Sequence, residues 1–289
     1  MDRILITGAA GSIGSALARK LVSERLYLFD NNETGLFEIY EELKDKGKVE
    51  YVLGSIRDRN KLDKIFEKYR PEIVYHAAAY KHVALLEKWP DEAIKTNIDG
   101  TKNLIEVSKK YNVKKFIFIS SDKAVNPKSI MGKTKRECEK MCLEANGKTK
   151  FKIVRFGNIM SSRGSIIPIW QRQIRENQFL TITSKRMKRY FMSIPEAAEL
   201  VIKSSKTGRG GEIFILDMGK EILIKDLADI MIKISGKDIG VKYTGADKGE
   251  KFSEQLMSAE ERSRAVKKDK LYIIYAKKKS KKKGNESKN

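Results

Sequence analysis

The first fourteen residues restrict this chain more than any other stretch. An apolar run, Ile4-Leu5-Ile6, passes directly into Thr7-Gly8-Ala9-Ala10-Gly11-Ser12-Ile13-Gly14, and apolar residues then recur at Ile13, Leu17 and Leu21. The run reads as a buried strand and the four-residue spacing as one face of a helix. Glycines at 8, 11 and 14 permit a tight strand-to-helix turn and let backbone approach a pyrophosphate. The amides and dipole at the helix N-terminus then attract that group. Three glycines among small residues also suit simple close packing. The strand before and the helix after favour a dinucleotide, with Gly8, Gly11, Ser12, Ile13 and Gly14 as candidate cofactor residues.

The next apolar run, Leu26–Phe29, ends in Asp30, sixteen residues beyond Gly14. A carboxylate there accepts hydrogen bonds from ribose hydroxyls and repels a 2′-phosphate, which favours NAD over NADP. Further strands are expected at 49–53, 73–75, 116–119 and 151–156, with helices near 33–46 and 131–145 among those between them. Such alternation means an α/β fold with a Rossmann-type, doubly wound parallel sheet. After residue 157 the pattern changes to a long polar stretch, a helix near Trp170, and a helix opened by Pro195 in its first turn. Short strands near 213–216 and 240–243 and a helix near 224–235 complete a smaller C-terminal substrate-binding domain. The expected division is a cofactor domain over 1–157, a substrate region over 158–270 and a basic tail over 271–289. The tail opens on Leu271–Tyr275, which reads as a last edge strand. Beyond it the lysine-rich end has too little apolar surface to offset the entropy of ordering, so disorder is expected.

The formal net charge of +22 raises nucleic acid as a partner, and residues 277–289, with seven lysines and one glutamate, supply +6 of it. The remaining charge is spread among many glutamates, the basic runs lack interleaved aromatics, and no nucleic-acid motif is present. No specific nucleic-acid partner is expected. No apolar run is long enough to span a membrane, and the amino terminus enters a strand without a signal-peptide cleavage site, so the expected compartment is the cytoplasm. Cys138 and Cys142 sit one helical turn apart and read as small buried residues. A zinc site with His76 and His82 fits no usual spacing, and no metal is expected.

The chemistry concentrates where Phe116–Ile119 turns polar: Ser120-Ser121-Asp122-Lys123-Ala124-Val125-Asn126-Pro127, then Met131-Gly132-Lys133-Thr134-Lys135. Open α/β sheets bind ligands beyond the carboxyl ends of their strands, and here a hydroxyl, a carboxylate and an ammonium stand side by side. Taken alone, the run also reads as a polar loop entering a solvated helix. The pattern resembles the extended short-chain dehydrogenase/reductases, which pair a strand-end Ser or Thr with a helical Tyr-x-x-x-Lys. Ser121 and Lys135 match, and Met131 stands at the tyrosine position. The spacing Gly-x-x-Gly-x-x-Gly at 8–14 is that family's variant of the dinucleotide fingerprint. Ser-Asp-Lys-Ala-Val-Asn-Pro followed by Met-Gly-x-Thr-Lys-Arg is similar to the polysaccharide-biosynthesis branch, the UDP-N-acetylglucosamine 4,6-dehydratases, whose larger members also carry methionine there. The likeness runs from residue 3 to about residue 257.

The resemblance implies an NAD-dependent nucleotide-sugar 4,6-dehydratase, a UDP-sugar substrate and a homo-oligomer. It makes Asp122 the acid at sugar carbon 6, Lys123 the base at carbon 5, and Lys135 the holder of the nicotinamide ribose. Ser55 and Ile56 fall at the adenine, with Ser55 where the family usually has aspartate. Ala77, Ala78 and Ala79 fall against the nicotinamide side, and Asn97 has a structural role. Tyr80, Lys81 and His82 are placed in the sugar pocket, Asn158 and Arg163 near the substrate and its phosphates, and Arg189 at a pyrophosphate. His76 reads better as a packed strand-end residue than as a catalyst. Two rivals remain: a carbon-4 epimerase of the same fold, and a non-catalytic NAD-binding regulator prompted by Met131, since a thioether neither donates nor takes a proton at neutral pH. Epimerisation needs no acid–base pair at carbons 5 and 6, so Asp122 and Lys123 argue against the first.

Overall fold

The computed structural model describes residues 1–276; the lysine-rich end expected to be disordered, 277–289, lies outside the described residues. Strands β1 (Arg3–Thr7), β2 (Arg25–Asp30), β3 (Lys48–Leu53), β4 (Ile73–His76), β5 (Lys115–Ile119), β6 (Lys150–Arg155), β7 (Ile213–Leu216), β8 (Val266–Lys268) and β9 (Leu271–Ile274) form one sheet in the order β8-β9-β7-β6-β5-β4-β1-β2-β3. Strands β1 to β7 run parallel, while β9 is antiparallel to β7, and β8 to β9. The order reverses between β1 and β4, and an open α/β sheet forms its ligand crevice at such a switch point. The central strands are buried along almost their whole length. That explains why they are continuous apolar runs rather than alternating ones.

The α-helices of six or more residues are α1 (Ser12–Lys20), α2 (Glu33–Leu43), α3 (Arg59–Tyr69), α4 (Val83–Lys88), α5 (Gly100–Lys110), α6 (Ile130–Ala145), α7 (Ile166–Arg175), α8 (Ile194–Lys206), α9 (Ile224–Ser235) and α10 (Ala259–Arg264). Asn32, Asp58, Ser129, Ser193 and Ser258 cap α2, α3, α6, α8 and α10 through side-chain oxygens that accept first-turn amides, which fixes where those helices begin. Helix α1 begins instead at Gly11, with no side-chain cap. It packs beside α8, whereas α3, α5 and α6 pack in a row.

The structure departs from the expected division of the chain. Ile213–Leu216, assigned above to a separate substrate domain, pairs with β6 in the main sheet. Its four residues are all buried, as an interior strand requires. Leu271–Ile274, assigned to the tail with an edge position, lies between β7 and β8 and is largely buried. The edge on that side of the sheet is Val266–Lys268, which is exposed. What stands apart from the main sheet is a second apolar cluster, Trp170, Leu180, Ile182, Met187, Ile224 and Ala228, where α7 and α9 close over the parallel pair Leu180–Ile182 and Val241–Tyr243.

His76 ends β4 as a packing residue. Its Nδ1 lies 2.8 Å from Thr7 Oγ1 and its Nε2 2.9 Å from Thr101 Oγ1. Burial, and then the charge of Lys135, push its pKa down to about 3. An unfolded histidine titrates near about 6.5, so between those values the unfolded chain binds more protons and acidification favours unfolding. Urea titrations at pH 6.5 and 5 should show stability falling by up to about 1.4 kcal/mol per pH unit. His76→Gln should remove most of that slope, and an unchanged slope would contradict this account.

Candidate active site

At the switch point β1 runs into Gly8, whose φ of +71° is cheap only for glycine. A Cβ on Gly8 would lie 2.6 Å from the Ala78 amide nitrogen, and one on Gly14 would lie 2.0 Å from the Gly8 carbonyl oxygen. The turn is therefore seated directly against the Ala77–Ala78 backbone. Beside it opens a cavity of about 270 Å³. Gly8, Gly11, Asp30, Ser55 and Ile56 line it, as do Ala77, Ala78 and Ala79. Three other predicted cofactor residues build the turn around it. The Ser12 hydroxyl accepts the Arg163 amide at 3.0 Å, Ile13 packs on the core, and Gly14 sits against Gly8. The Asp30 carboxylate is fixed at the rim by the amides of Ala10 and Asn32, each at 2.9 Å, and keeps lone pairs for hydroxyl donors. Glycine backbone, an uncapped helix start and a fixed carboxylate after β2 fit a dinucleotide.

At the end of β5 the chain bends into a single 3₁₀ turn, Asp122–Ala124, capped by Ser121. The bend makes two adjacent side chains converge. Ser121 Oγ donates to Asp122 Oδ1 at 2.9 Å, and Lys123 Nζ donates to the same oxygen at 3.1 Å. Lys123 Nζ also lies 3.4 Å from Asn158 Oδ1. Asp122 has no exposed surface, and its Oδ2 has no hydrogen-bond partner among the described residues. It faces Gly157, where a Cβ would lie 3.2 Å away. A buried carboxylate oxygen left unpaired is costly, and such costs persist where function needs them. Burial, and then the charge of Lys123, hold the Lys81 ammonium below its usual value.

The other predicted residues divide. Lys135 is not in this cluster: its ammonium donates to the Ile119 carbonyl at 2.8 Å, above the Phe118 ring, and burial lowers its pKa. Met131 is buried against Leu86 and Ala93. Tyr80 lines the dinucleotide cavity, its backbone clamped by Asn97 at 2.8 and 3.1 Å from the π-helical turn Ile94–Asp99. His82 precedes α4 and rests against Gly164. Arg163 lies at the dinucleotide cavity rather than beside Lys123. Arg189 is nearly buried and paired with Glu250 at 3.1 Å. Neighbouring Lys185 and Arg186 lean on the Tyr243 and Phe252 rings.

Two features escaped the sequence reading. Arg57 and Thr96 also line the cavity. The Arg57 guanidinium bonds Thr96 and Glu92 and lies 5.7 Å from the Tyr80 ring centroid. Its position just after Ser55-Ile56 was the available signal. Behind the site, Arg155 at the end of β6 bonds Glu139 of α6 at 3.0 and 2.8 Å and Glu261 of α10 at 2.9 Å. Ser120 donates to the same Glu139 at 2.7 Å.

Fold and groove together define a Rossmann-type protein of the extended short-chain dehydrogenase/reductase kind. The chain belongs to the polysaccharide biosynthesis protein family, whose model matches residues 4–276. It is 44% identical to the capsular polysaccharide biosynthesis protein CapD of Staphylococcus aureus over 75% of this chain and 38% of that protein. The chain thus spans well under half the length of that relative. A Methanocaldococcus jannaschii protein named as an uncharacterized membrane protein is 46% identical over 74% of this chain and 66% of its own length. At 35% identity over 73% of this chain stand a UDP-N-acetylglucosamine 4,6-dehydratase (inverting) of Campylobacter jejuni and a UDP-glucose 4-epimerase of Rickettsia bellii, covered to 66% and 65%. Among solved structures, Pen from Bacillus thuringiensis superposes with a TM-score of 0.90 at 35% identity, over 95% of this chain and 88% of that one. Among the described residues no helix is long and apolar enough to cross a membrane, and no group of three or more His, Cys, Asp and Glu residues is placed to hold a metal ion.

Proposed function

We propose that this chain carries an NAD-dependent nucleotide-sugar 4,6-dehydratase activity, with UDP-N-acetylglucosamine as substrate. The observation that carries this reading is the turn after β5, which sets Asp122 and Lys123 on one shared hydrogen bond. The chemistry NAD would supply when bound is acceptance of hydride from sugar carbon 4, whose hydroxyl proton passes to solvent, and return of that hydride at carbon 6. A ketone at carbon 4 acidifies the hydrogen on carbon 5. In the resting pair the proton sits on Lys123. Its passage along the 3.1 Å hydrogen bond to Asp122 creates an acid and a neutral amine together, with no change in net charge. Lys123 then takes the carbon-5 proton while Asp122 protonates the carbon-6 hydroxyl, which leaves as water. That step ends with carboxylate and ammonium again; Lys123 returns a proton to carbon 5 as carbon 6 is reduced and then takes one from solvent, which restores the resting pair. Asn158 steadies the Lys123 ammonium. Asp30 and the glycine turn hold the dinucleotide, and Met131 fills space without taking part in proton transfer.

The epimerase relative favours a second reading, in which hydride returns to carbon 4. That reaction has no use for an acid–base pair at carbons 5 and 6. Positioned acid–base groups contribute roughly 10²–10⁴-fold in rate. Asp122→Asn and Lys123→Ala should therefore each lower formation of the 4-keto-6-deoxy product by about that factor while leaving NADH binding nearly unchanged. Near-parental turnover in both variants would contradict the mechanism.

Cofactor choice follows from Asp30, whose fixed carboxylate disfavours a 2′-phosphate. Fluorescence titration should show NADH binding more tightly than NADPH, with Asp30→Ala narrowing the gap. Tighter binding of NADPH by the parent chain would overturn this assignment.

A further inference from the structure

Three consecutive residues cross from one side of the site to the other. Ser162 Oγ lies 3.4 Å from Lys81 Nζ. The Arg163 amide donates to Ser12 Oγ at 3.0 Å. Gly164, with φ +68°, fits against His82, and a Cβ there would lie 2.6 Å from the imidazole Cε1. The segment following β6 is thus pinned both to the Lys81–His82 stretch and to the first residue of α1. The Arg163 side chain continues along the dinucleotide cavity. Its Nη2 lies 3.5 Å from Glu38 Oε2, and its Nη1 lies 2.9 Å from where a Cβ on Gly35 would stand. Gly35 occupies the first turn of α2, where glycine weakens a helix. Room for the guanidinium accounts for it.

We infer that Arg163 is a dinucleotide-binding residue delivered by the substrate-side segment, its guanidinium closing over the adenosine ribose beside Asp30. This rests on reading the groove as a dinucleotide site. Arginine's planar fork suits the hydroxyl and phosphate oxygens found there. Flanking Asp30 and Glu38 balance its charge, so it does not turn the site toward a 2′-phosphate. Because the flanking Ser162 and Gly164 touch Lys81 and His82, the clasp holds the cofactor from the sugar side. That suits a cofactor that is reduced and reoxidised within one turnover and need not leave.

The test measures NADH affinity by fluorescence, NADH release by stopped flow and UDP affinity by calorimetry, all on the full chain. Arg163 is more than half exposed, so Arg163→Ala should fold with an unchanged melting temperature. It should bind NADH about tenfold more weakly, the scale of one charge-assisted hydrogen bond, and release it correspondingly faster. UDP affinity should stay within about twofold, the measurement margin on a tenfold scale. Gly35→Ala keeps the arginine but displaces its guanidinium, and should weaken NADH to a lesser degree. Unchanged NADH binding and release in both variants would overturn the inference, as would a loss confined to UDP. A parent chain that binds no NADH would instead overturn the dinucleotide reading itself.

Discussion

The site depends on a guanidinium buried where no water reaches it. Arg155 has no exposed surface, and its partners Glu139 and Glu261 are buried with it. Isolated charges are expensive to bury, and removing one partner of such a group typically costs about 3–5 kcal/mol. The three residues come from β6, α6 and α10, so the cluster forms only when the sheet, the helix behind the site and the C-terminal segment have all docked. Ser120 is drawn into it through Glu139, and the Asp122 amide donates to the Phe156 carbonyl at 3.0 Å. The ends of β5 and β6 are thereby fixed together, and the 3₁₀ turn that joins Asp122 to Lys123 grows from that fixed edge.

The two halves of the site are built on different principles. The dinucleotide side is mostly backbone: a glycine turn locked against Ala77 and Ala78, an uncapped helix start, and a carboxylate held by amides. It is packed backbone against backbone, so that any Cβ at Gly8 or Gly14 collides. The acid–base side consists of side chains on one turn, with Met131 contributing bulk where an O–H group is absent. In the proposed mechanism both proton-transfer roles at carbons 5 and 6 fall to Asp122 and Lys123.

Much of this was legible in the sequence wherever the signal is local. Strand, glycine turn and amphipathic helix are contiguous between residues 3 and 21, and Asp30 follows its strand directly. Ser121, Asp122 and Lys123 are adjacent in the chain. Long-range placement was not legible. Leu271–Ile274 reads as a strand, but nothing nearby says that it lies between β7 and β8. The cations were the least legible class. With 60 lysines and arginines in the chain, residue type alone does not separate the buried Arg155 and Arg189 from a solvated surface. The resemblance set Arg163 near the substrate, and its contacts with Ser12 and Glu38, which span 151 and 125 residues, were not legible.

The central claim is that Asp122 and Lys123 eliminate water across sugar carbons 5 and 6. The most direct measurement is incubation of the chain with NAD and UDP-N-acetylglucosamine in heavy water, followed by NMR of the sugar. The account predicts a 4-keto product with an undeuterated methyl group at carbon 6 and deuterium at carbon 5. The methyl hydrogen gained comes from carbon 4, whereas Lys123 exchanges its proton with solvent. A carbon-4 epimer that keeps its carbon-6 hydroxyl and carries no deuterium at carbon 5 would contradict it.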